Sequence, residues 1–499
     1  MSDSDSSQDF TVMSSDSSIA QEQQPMNCLK IRPSDDFSPI ASLTPIEESD
    51  RYRMATGKNK TDFAVVAQGG RAAQPEISNA FATDLDYAIR NNINNDDLLY
   101  APYPIKSMAP ISFLEQLAQS VLHADILVKA EAVADDVHQQ TALVTAFVAA
   151  FVGHVKKNVA SHPFMPVLGE TFEVFANSTR QWRFLAEQVE VDVTAISLKA
   201  QGFHFQQNLC LKSEFLGDRK LFTVDPSGAG HIAFEKTRNE VSWSLDDVRL
   251  TLTTLSGGAS AQCTAIVDGA ISVVNSRGDN ARIVFQESDP TAHTAFHALV
   301  FSRENTKLIG LNGNFEESIN GVFPAPKLRP QSVCSPIREP VTTSLLTMKL
   351  EKPEAQLKYS SSEIGELPPT DSRLRADVLY ARRALKTDTP DEANVLFGKA
   401  QQKHEKYLRR EYSRRIASST QNFGAYQNYD NNNDNINGNL PPASATPLQD
   451  PLWFRRFIEG GHVRYRYVDG EAEEYWTARA QKNFSRCPDI FECLVKKKY

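Results

Sequence analysis

A chain of 499 residues with 53 Lys and Arg against 62 Asp and Glu carries a formal net charge of −9, which excludes the basic footprint that general nucleic-acid binding needs. Its six cysteines, at positions 28, 210, 263, 334, 487 and 493, include no C-x-x-C pair, so neither a disulfide framework nor a zinc site is expected, and no cofactor is. Without a signal-peptide pattern, the chain reads as reduced and cytosolic, with any membrane contact peripheral.

Residues 1–80 are rich in Ser, Asp, Gln and Pro, with few periodic apolar positions. Such a segment buries too little surface to offset its ordering entropy, so a disordered, acidic, Ser-rich tail is expected. Its phenylalanines sit beside acids and serines, as in "SDSSQDFTVMSSD". That pattern suits a docking segment for a protein partner as well as a plain solvated tail. From Tyr100 the texture changes. "SMAPISFLEQLAQSVLHADILVKA" sets Ser112 and Glu115 as a capping box, with Leu114, Leu117 and Val121 at helical spacing. "TALVTAFVAAFVGHV" (141–155) is too short to span a bilayer and is bounded by Lys156 and Lys157, so a buried core helix around Phe147 and Phe151 is expected. His123, His138 and His154 fall in these helices as core or boundary residues.

Between about 170 and 312 short alternating runs such as "HIAFEKT", "EVSWSL" and "VRLTLTTL" are separated by turn signals at 217–218, 226–228, 257–258, 268–269 and 278–279. A meander this long is expected to curl into a barrel. Within it "AEQVEVDVTAIS" (186–197) reads as one strand, with Val189, Val191 and Val193 on one face and Glu190, Asp192 and Thr194 on the other. Two carboxylates on one face are either a solvated surface or an acid/base or metal pair. No His or Cys neighbours them in sequence to complete a metal site. A Pro-rich connector (322–340), a long charged helix over "DEANVLFGKAQQKHEKYLRREYSRRIASS" and an Asn-rich disordered loop (422–447) follow. The chain closes on a folded segment with Trp453, Trp476 and Phe484 as core anchors. No nucleophile elbow, Walker loop or dinucleotide fingerprint is present, so no catalytic residue is expected.

"HPFMPVLGETFEVF" (162–175) resembles the "KPFNPLLGETFE" element of the oxysterol-binding protein family, and "ELPPTDSRLRADV" (366–378) matches another stretch of that family almost letter for letter. "YAPYPIKSMAPISFLEQLAQSVLHADILVKA", "LIGLNGNFEESI", "LWFRRF" and "NFSRCPDIF" support the resemblance in family order. It implies a mainly β fold with flanking helices: a large, near-closed antiparallel β-barrel enclosing a lipid over 81–495, with an N-terminal lid at 83–100. It further implies no pleckstrin-type or ankyrin module.

The family signature E-Q-V-S-H-H-P-P begins well here, at Glu187, Gln188 and Val189, and then departs. The paired histidines, which in the family hold the phosphate of phosphatidylinositol 4-phosphate, fall on Val191 and Asp192. The family's lysine and asparagine of the "KPFNP" element become His162 and Met165, followed in the same lipid-binding element by Leu168 and Gly169. His162, if protonated, would recover part of the lysine's role. The family completes the grip with Lys, Glu and Arg one helical turn apart. Two registers fit, Phe397, Gln401 and Glu405 or Gln401, Glu405 and Arg409, and neither restores all three. The resemblance therefore implies an intracellular carrier of a sterol or another single lipid with phosphoinositide binding lost; the alternative is a non-transporting sensor or scaffold. The basic run that includes Lys399, Lys403, Arg409 and Arg410 is either a solvated helix face or a contact with an anionic membrane surface, as at endoplasmic reticulum contact sites.

Overall fold

The computed structural model describes residues 98–101, 103–133, 135–175, 182–216, 221–255, 262–286, 295–314, 318–322, 345–349, 367–427, 451–459, 462–467 and 474–491. The expected tail, the lid over 83–97, the connector over 323–340 and the Asn-rich stretch over 428–447 lie outside these residues.

Two short strands, β1 (Ala109–Ser112) and β2 (Pro163–Phe164), pair in parallel. The alternating runs then form β3 (Thr171–Phe175), β4 (Trp182–Gln188), β5 (Val193–Ala200), β6 (Phe203–Leu216), β7 (Leu221–Ser227), β8 (Ala229–Phe234) and β9 (Asn239–Ser244). They continue as β10 (Val248–Leu255), β11 (Gln262–Asn275), β12 (Asn280–Gln286), β13 (Phe296–Phe301), β14 (Lys307–Gly313), β15 (Ser318–Val322) and β16 (Leu345–Lys349), completing a 14-stranded sheet. At 14 residues each, β6 and β11 serve two partners on one edge. β6 pairs with β8 near its start and β7 near its end, while β11 pairs with β10 and then β9. Among the described residues the outermost strands, β3 and β16, are not paired with each other, so the barrel is nearly closed.

Period-2 patterning sets the inner face. β8 and β9 bury Ile232, Phe234, Val241 and Trp243 and leave the alternate positions half-exposed. Gly269 does not turn the chain as expected. It sits inside β11 at φ +110°, where a Cβ would lie 1.9 Å from the Asp247 carbonyl oxygen, so only glycine fits this crossing.

Among the described residues three α-helices precede the sheet: α1 (Phe113–Leu117), α2 (Ala124–Ala132) and α3 (Val137–Ser161). The expected capping box is absent, because both of its side chains are drawn into tertiary contacts. The Ser112 hydroxyl donates to Glu170 Oε1 at 2.6 Å, and Glu115 pairs with Arg382. Leu114 and Leu117 are buried. Asp136 does cap α3, accepting the Gln139 N–H at 3.0 Å. This helix is long and apolar enough to cross a membrane. It is instead buried along nearly all its length, packed against β11–β14. Phe147 and Phe151 meet Phe205 with ring centroids 5.3 and 6.1 Å apart, and Phe205 stacks on Trp243 at 6.0 Å. Burying each such ring stabilises the fold by roughly 1.5–3 kcal/mol.

After the sheet come α4 (Ala376–Ala384), α5 (Pro390–Gln427), the hairpin strands β17 (Phe454–Glu459) and β18 (His462–Tyr467), and α6 (Tyr475–Gln481). The Asn-rich loop expected from 422 starts too early, since α5 continues to Gln427. Once a long helix exists each added residue gains a bond at little cost, so an isolated Asn or Gly near its end is tolerated. Trp453 is buried in a second core with Tyr465, Tyr467 and Tyr475, and Trp476 and Phe484 pack half-buried against it.

Candidate functional site

The stretch 186–197 is not one strand. β4 ends at Gln188, Val189–Asp192 turn, and β5 begins at Val193, with Gln188 opposite Thr194. The Val189 and Glu190 N–H groups both donate to the Val193 carbonyl, at 3.0 and 3.2 Å. Gln188 fixes the turn from its base: Nε2 donates to the Glu190 and Val191 carbonyls at 3.0 and 3.2 Å, and Oε1 accepts from the Thr194 hydroxyl at 2.6 Å. The alternation of valines and acids misled because this connection contains no Gly, Pro or Asn to mark it. Its two carboxylates go separate ways. Glu190 accepts a hydrogen bond from the Tyr465 hydroxyl, and Asp192 accepts one from the Cys210 thiol at 3.5 Å. Burial, reinforced by Asp192, pushes that thiol up to about 12. Among the described residues no cluster of His, Cys, Asp and Glu could hold a metal. Glu187 lies on β4 and is buried; it accepts the Leu452 and Trp453 N–H groups at 2.7 and 3.0 Å, and burial raises it to about 7. Its carboxylate fastens the C-terminal segment to the barrel.

The two stretches that carry the family resemblance, 162–175 and 366–378, meet in space at Glu170. This side chain is fully buried and accepts from the Ser112 and Ser372 hydroxyls at 2.6 and 2.7 Å, from the Val167 N–H at 3.0 Å and from Arg375 at 2.9 Å. Arg375, equally buried, also donates to the Met165 carbonyl at 2.8 Å and forks onto Asp377 at 3.1 and 2.7 Å. Charge and burial compete here. Burial wins at Glu170 and raises it, whereas the adjoining guanidinium and His404 overcome burial at Asp377 and hold it near 2. This frame fixes the residues expected to bind the headgroup. His162 caps α3 in the left-handed region (φ +48°), buried and edge-on to Tyr103 at 3.9 Å. Burial, with His404 nearby, lowers it to about 3, so it is neutral and cannot replace a lysine. Met165 is buried. The Gly169 N–H donates to the Gln188 carbonyl at 2.9 Å, tying this element to the turn.

The long helix reaches the turn and its neighbouring element with two side chains. Glu411 on α5 accepts the Leu168 N–H at 3.3 Å, and Arg415, one turn on, donates to the Val191 carbonyl at 3.3 Å. Glu411 and Arg415 belong to neither expected set; Tyr407, one turn before Glu411, is buried with Val167, Ile490 and Phe491. The spacing was present in the sequence; only the long-range contact selects it. The Tyr100 ring lies 3.4 Å from the Arg415 guanidinium carbon, and its hydroxyl donates to the Val191 carbonyl at 3.2 Å. Lys399 and Arg409 are exposed and Lys403 half-exposed, whereas Arg410 donates to the Ile490 carbonyl at 2.6 Å.

The family described as Oxysterol-binding protein matches residues 87–480. Oxysterol-binding protein 2 of Mus musculus is 25% identical over 428 residues, covering 81% of this chain and 43% of that protein. Oxysterol-binding protein homolog 2 of Saccharomyces cerevisiae is 26% identical over 330 residues, covering 62% of this chain and 25% of its own length. The chain thus spans less than half the length of these relatives. The crystal structure of the Osh1 ORD domain in complex with cholesterol superposes with a TM-score of 0.56 at 20% identity, covering 86% of this chain and 98% of that one. That of the Osh3 ORD of Saccharomyces cerevisiae in complex with PI(4)P gives 0.51 at 19%, covering 83% and 95%. The barrel fold is shared with both, and by the match over 87–480 the chain belongs to the oxysterol-binding protein family.

Proposed function

We propose that the chain is a lipid carrier that takes a sterol or another single lipid into its barrel and moves it between membranes, without the family's usual phosphoinositide grip. The observation that carries the reading is family membership joined to a barrel fold shared with ORD structures solved with cholesterol and ergosterol. A buried apolar ligand of that size gains roughly 25 cal/mol per Å2 removed from water. The altered residues support the loss of headgroup binding. Val191 and Met165 offer no cation, His162 is held neutral, and, if Glu411 and Arg415 stand for the family's glutamate and arginine, the lysine place one turn before them is the buried Tyr407. Arg415 brings a cation to the Val191 carbonyl, and Glu190 and Asp192 flank that residue in the turn. Each carboxylate at about 4 Å from a phosphate charge would add roughly 4 kcal/mol of repulsion at an effective dielectric near 20.

The carrier works in the cytosol in this reading, touching anionic leaflets through Lys399, Lys403 and Arg409 and holding a protein partner through the N-terminal segment. A second reading, a ligand-locked sensor, draws on the contacts of Tyr100, the last residue of the expected lid segment, with Val191 and Arg415 at the turn. Transfer of labelled sterol between donor and acceptor vesicles separates the two. Transfer supports the carrier, binding without transfer supports the sensor, and neither binding nor transfer refutes both.

A further inference from the structure

The β17–β18 hairpin stands as a separate two-stranded sheet. Its base is firmly held. Asn208 on β6 donates to the Tyr465 carbonyl at 2.7 Å and accepts the Tyr465 N–H at 2.6 Å, and Gln206 accepts the Tyr467 N–H at 3.0 Å. By the period of a strand, Phe454, Arg456 and Ile458 share one face of β17, opposite Tyr467, Tyr465 and Val463. Along that face burial gives way to solvent. Phe454 is 2% exposed, while Ile458 is 77% exposed and its cross-strand neighbour Val463 41%. Phe457 on the other face is 39% exposed, with the Arg466 guanidinium 5.7 Å from its ring.

Among the described residues no element covers these three large apolar side chains at one end of the hairpin. The charges around them narrow what would cover them. The two strands carry Arg455, Arg456, Arg464 and Arg466 against one acid, Glu459, which gives 4 − 1 = +3 in a chain of net charge −9. Glu459 pairs with Arg464 at 2.9 Å and Arg466 at 2.6 Å, while Arg455 and Arg456 are exposed to solvent. Aliphatic and aromatic groups flanked by arginines match the layered chemistry of an anionic bilayer surface, with acyl chains beneath phosphates. A peptide groove would instead be concave.

We propose that this end of the hairpin inserts Ile458, Val463 and Phe457 into the interface of an anionic membrane while the arginines meet lipid phosphates. The proposal deepens the carrier reading, on which it rests for its purpose, by assigning the place where the protein stands on the bilayer. Flotation of the full chain with phosphatidylcholine vesicles, with and without phosphatidylserine, tests it. Ile458→Asp with Val463→Asp is expected to weaken apparent affinity about tenfold or more. Arg455→Glu with Arg456→Glu should weaken it only on vesicles containing phosphatidylserine. Ile458→Trp should show quenching by brominated lipid chains beyond that of the parent protein. Flotation unchanged in the double aspartate variant, or no added quenching in Ile458→Trp, overturns the proposal. So does a double aspartate variant that keeps vesicle binding but loses a protein partner. Uptake of sterol delivered on cyclodextrin is measured alongside. Failed uptake with variant-sensitive flotation sinks the carrier reading alone, while normal uptake with variant-insensitive flotation sinks the docking proposal alone.

Discussion

Arg375→Met removes the cation from the buried frame behind the site while keeping most of the side chain's length. Four hydrogen bonds of 2.7–3.1 Å vanish, two of them to Asp377, one to Glu170 and one to the Met165 carbonyl. The lost bonds are the smaller part. Asp377 and Glu170 are both fully buried; Glu170 loses its guanidinium and Asp377 keeps only His404 at 3.2 Å, so each is left as a poorly compensated charge or must take up a proton. Breaking a buried pair in this way costs about 3–5 kcal/mol, far more than the ~1 kcal/mol of an ordinary hydrogen bond. Equilibrium urea unfolding followed by fluorescence reads the difference. The same reasoning expects partial recovery when Glu170→Gln and Asp377→Asn are added, because one amide oxygen still accepts from Ser112 and Ser372, which both bond Oε1, and the buried charges are gone. Recovery stays partial because the amide NH2 then faces the Val167 N–H. A loss below about 1 kcal/mol for Arg375→Met, or a triple variant no more stable than the single, would refute the argument that charge compensation holds this frame.

Rebuilding the grip with Val191→His, Asp192→His, His162→Lys, Met165→Asn and Tyr407→Lys should give measurable extraction of phosphatidylinositol 4-phosphate where the parent extracts none; ordinary extraction by the parent would show that the altered residues are not the cause. His162 is lowered from 6.5 to about 3 by burial, so the unfolded chain binds its proton better and stability contributed above pH 6.5 is lost as pH falls toward 3. His162→Asn, which keeps a residue tolerant of the left-handed region, should flatten the acid limb of the stability curve, and parallel curves would contradict this. Lys399→Glu, Lys403→Glu and Arg409→Glu together should weaken binding to phosphatidylserine vesicles by on the order of 1 kcal/mol each, with the effect shrinking as salt is added. Arg410 is left intact because its bond to Ile490 is structural.

The barrel was readable because its strands alternate, as in "HIAF" and "EVSW", and because their partners follow chain order over most of the sheet. The core helix was readable from its apolar run. What failed was local and hinged on partners far away in sequence. Ser112 and Glu115 fit a capping box, yet Glu170 and Arg382 claim them. "VEVD" alternates like a strand, yet the Gln188 side chain folds it into a turn. The roles of Glu170 and Arg375 rest on contacts spanning about 200 residues, which no periodicity reports. The spacing of Tyr407, Glu411 and Arg415 was written in the chain, but only the bonds to Leu168 and Val191 bring Glu411 and Arg415 out as the pair beside the turn.

The most direct test of the account is lipid extraction. The purified full chain is incubated with vesicles containing sterol, phosphatidylserine and phosphatidylinositol 4-phosphate, then recovered, and its lipid is identified by mass spectrometry. One sterol-class lipid per chain, with no phosphatidylinositol 4-phosphate above background, is the predicted result. Recovery of the phosphoinositide as the main cargo, or of no lipid of any class, would contradict it.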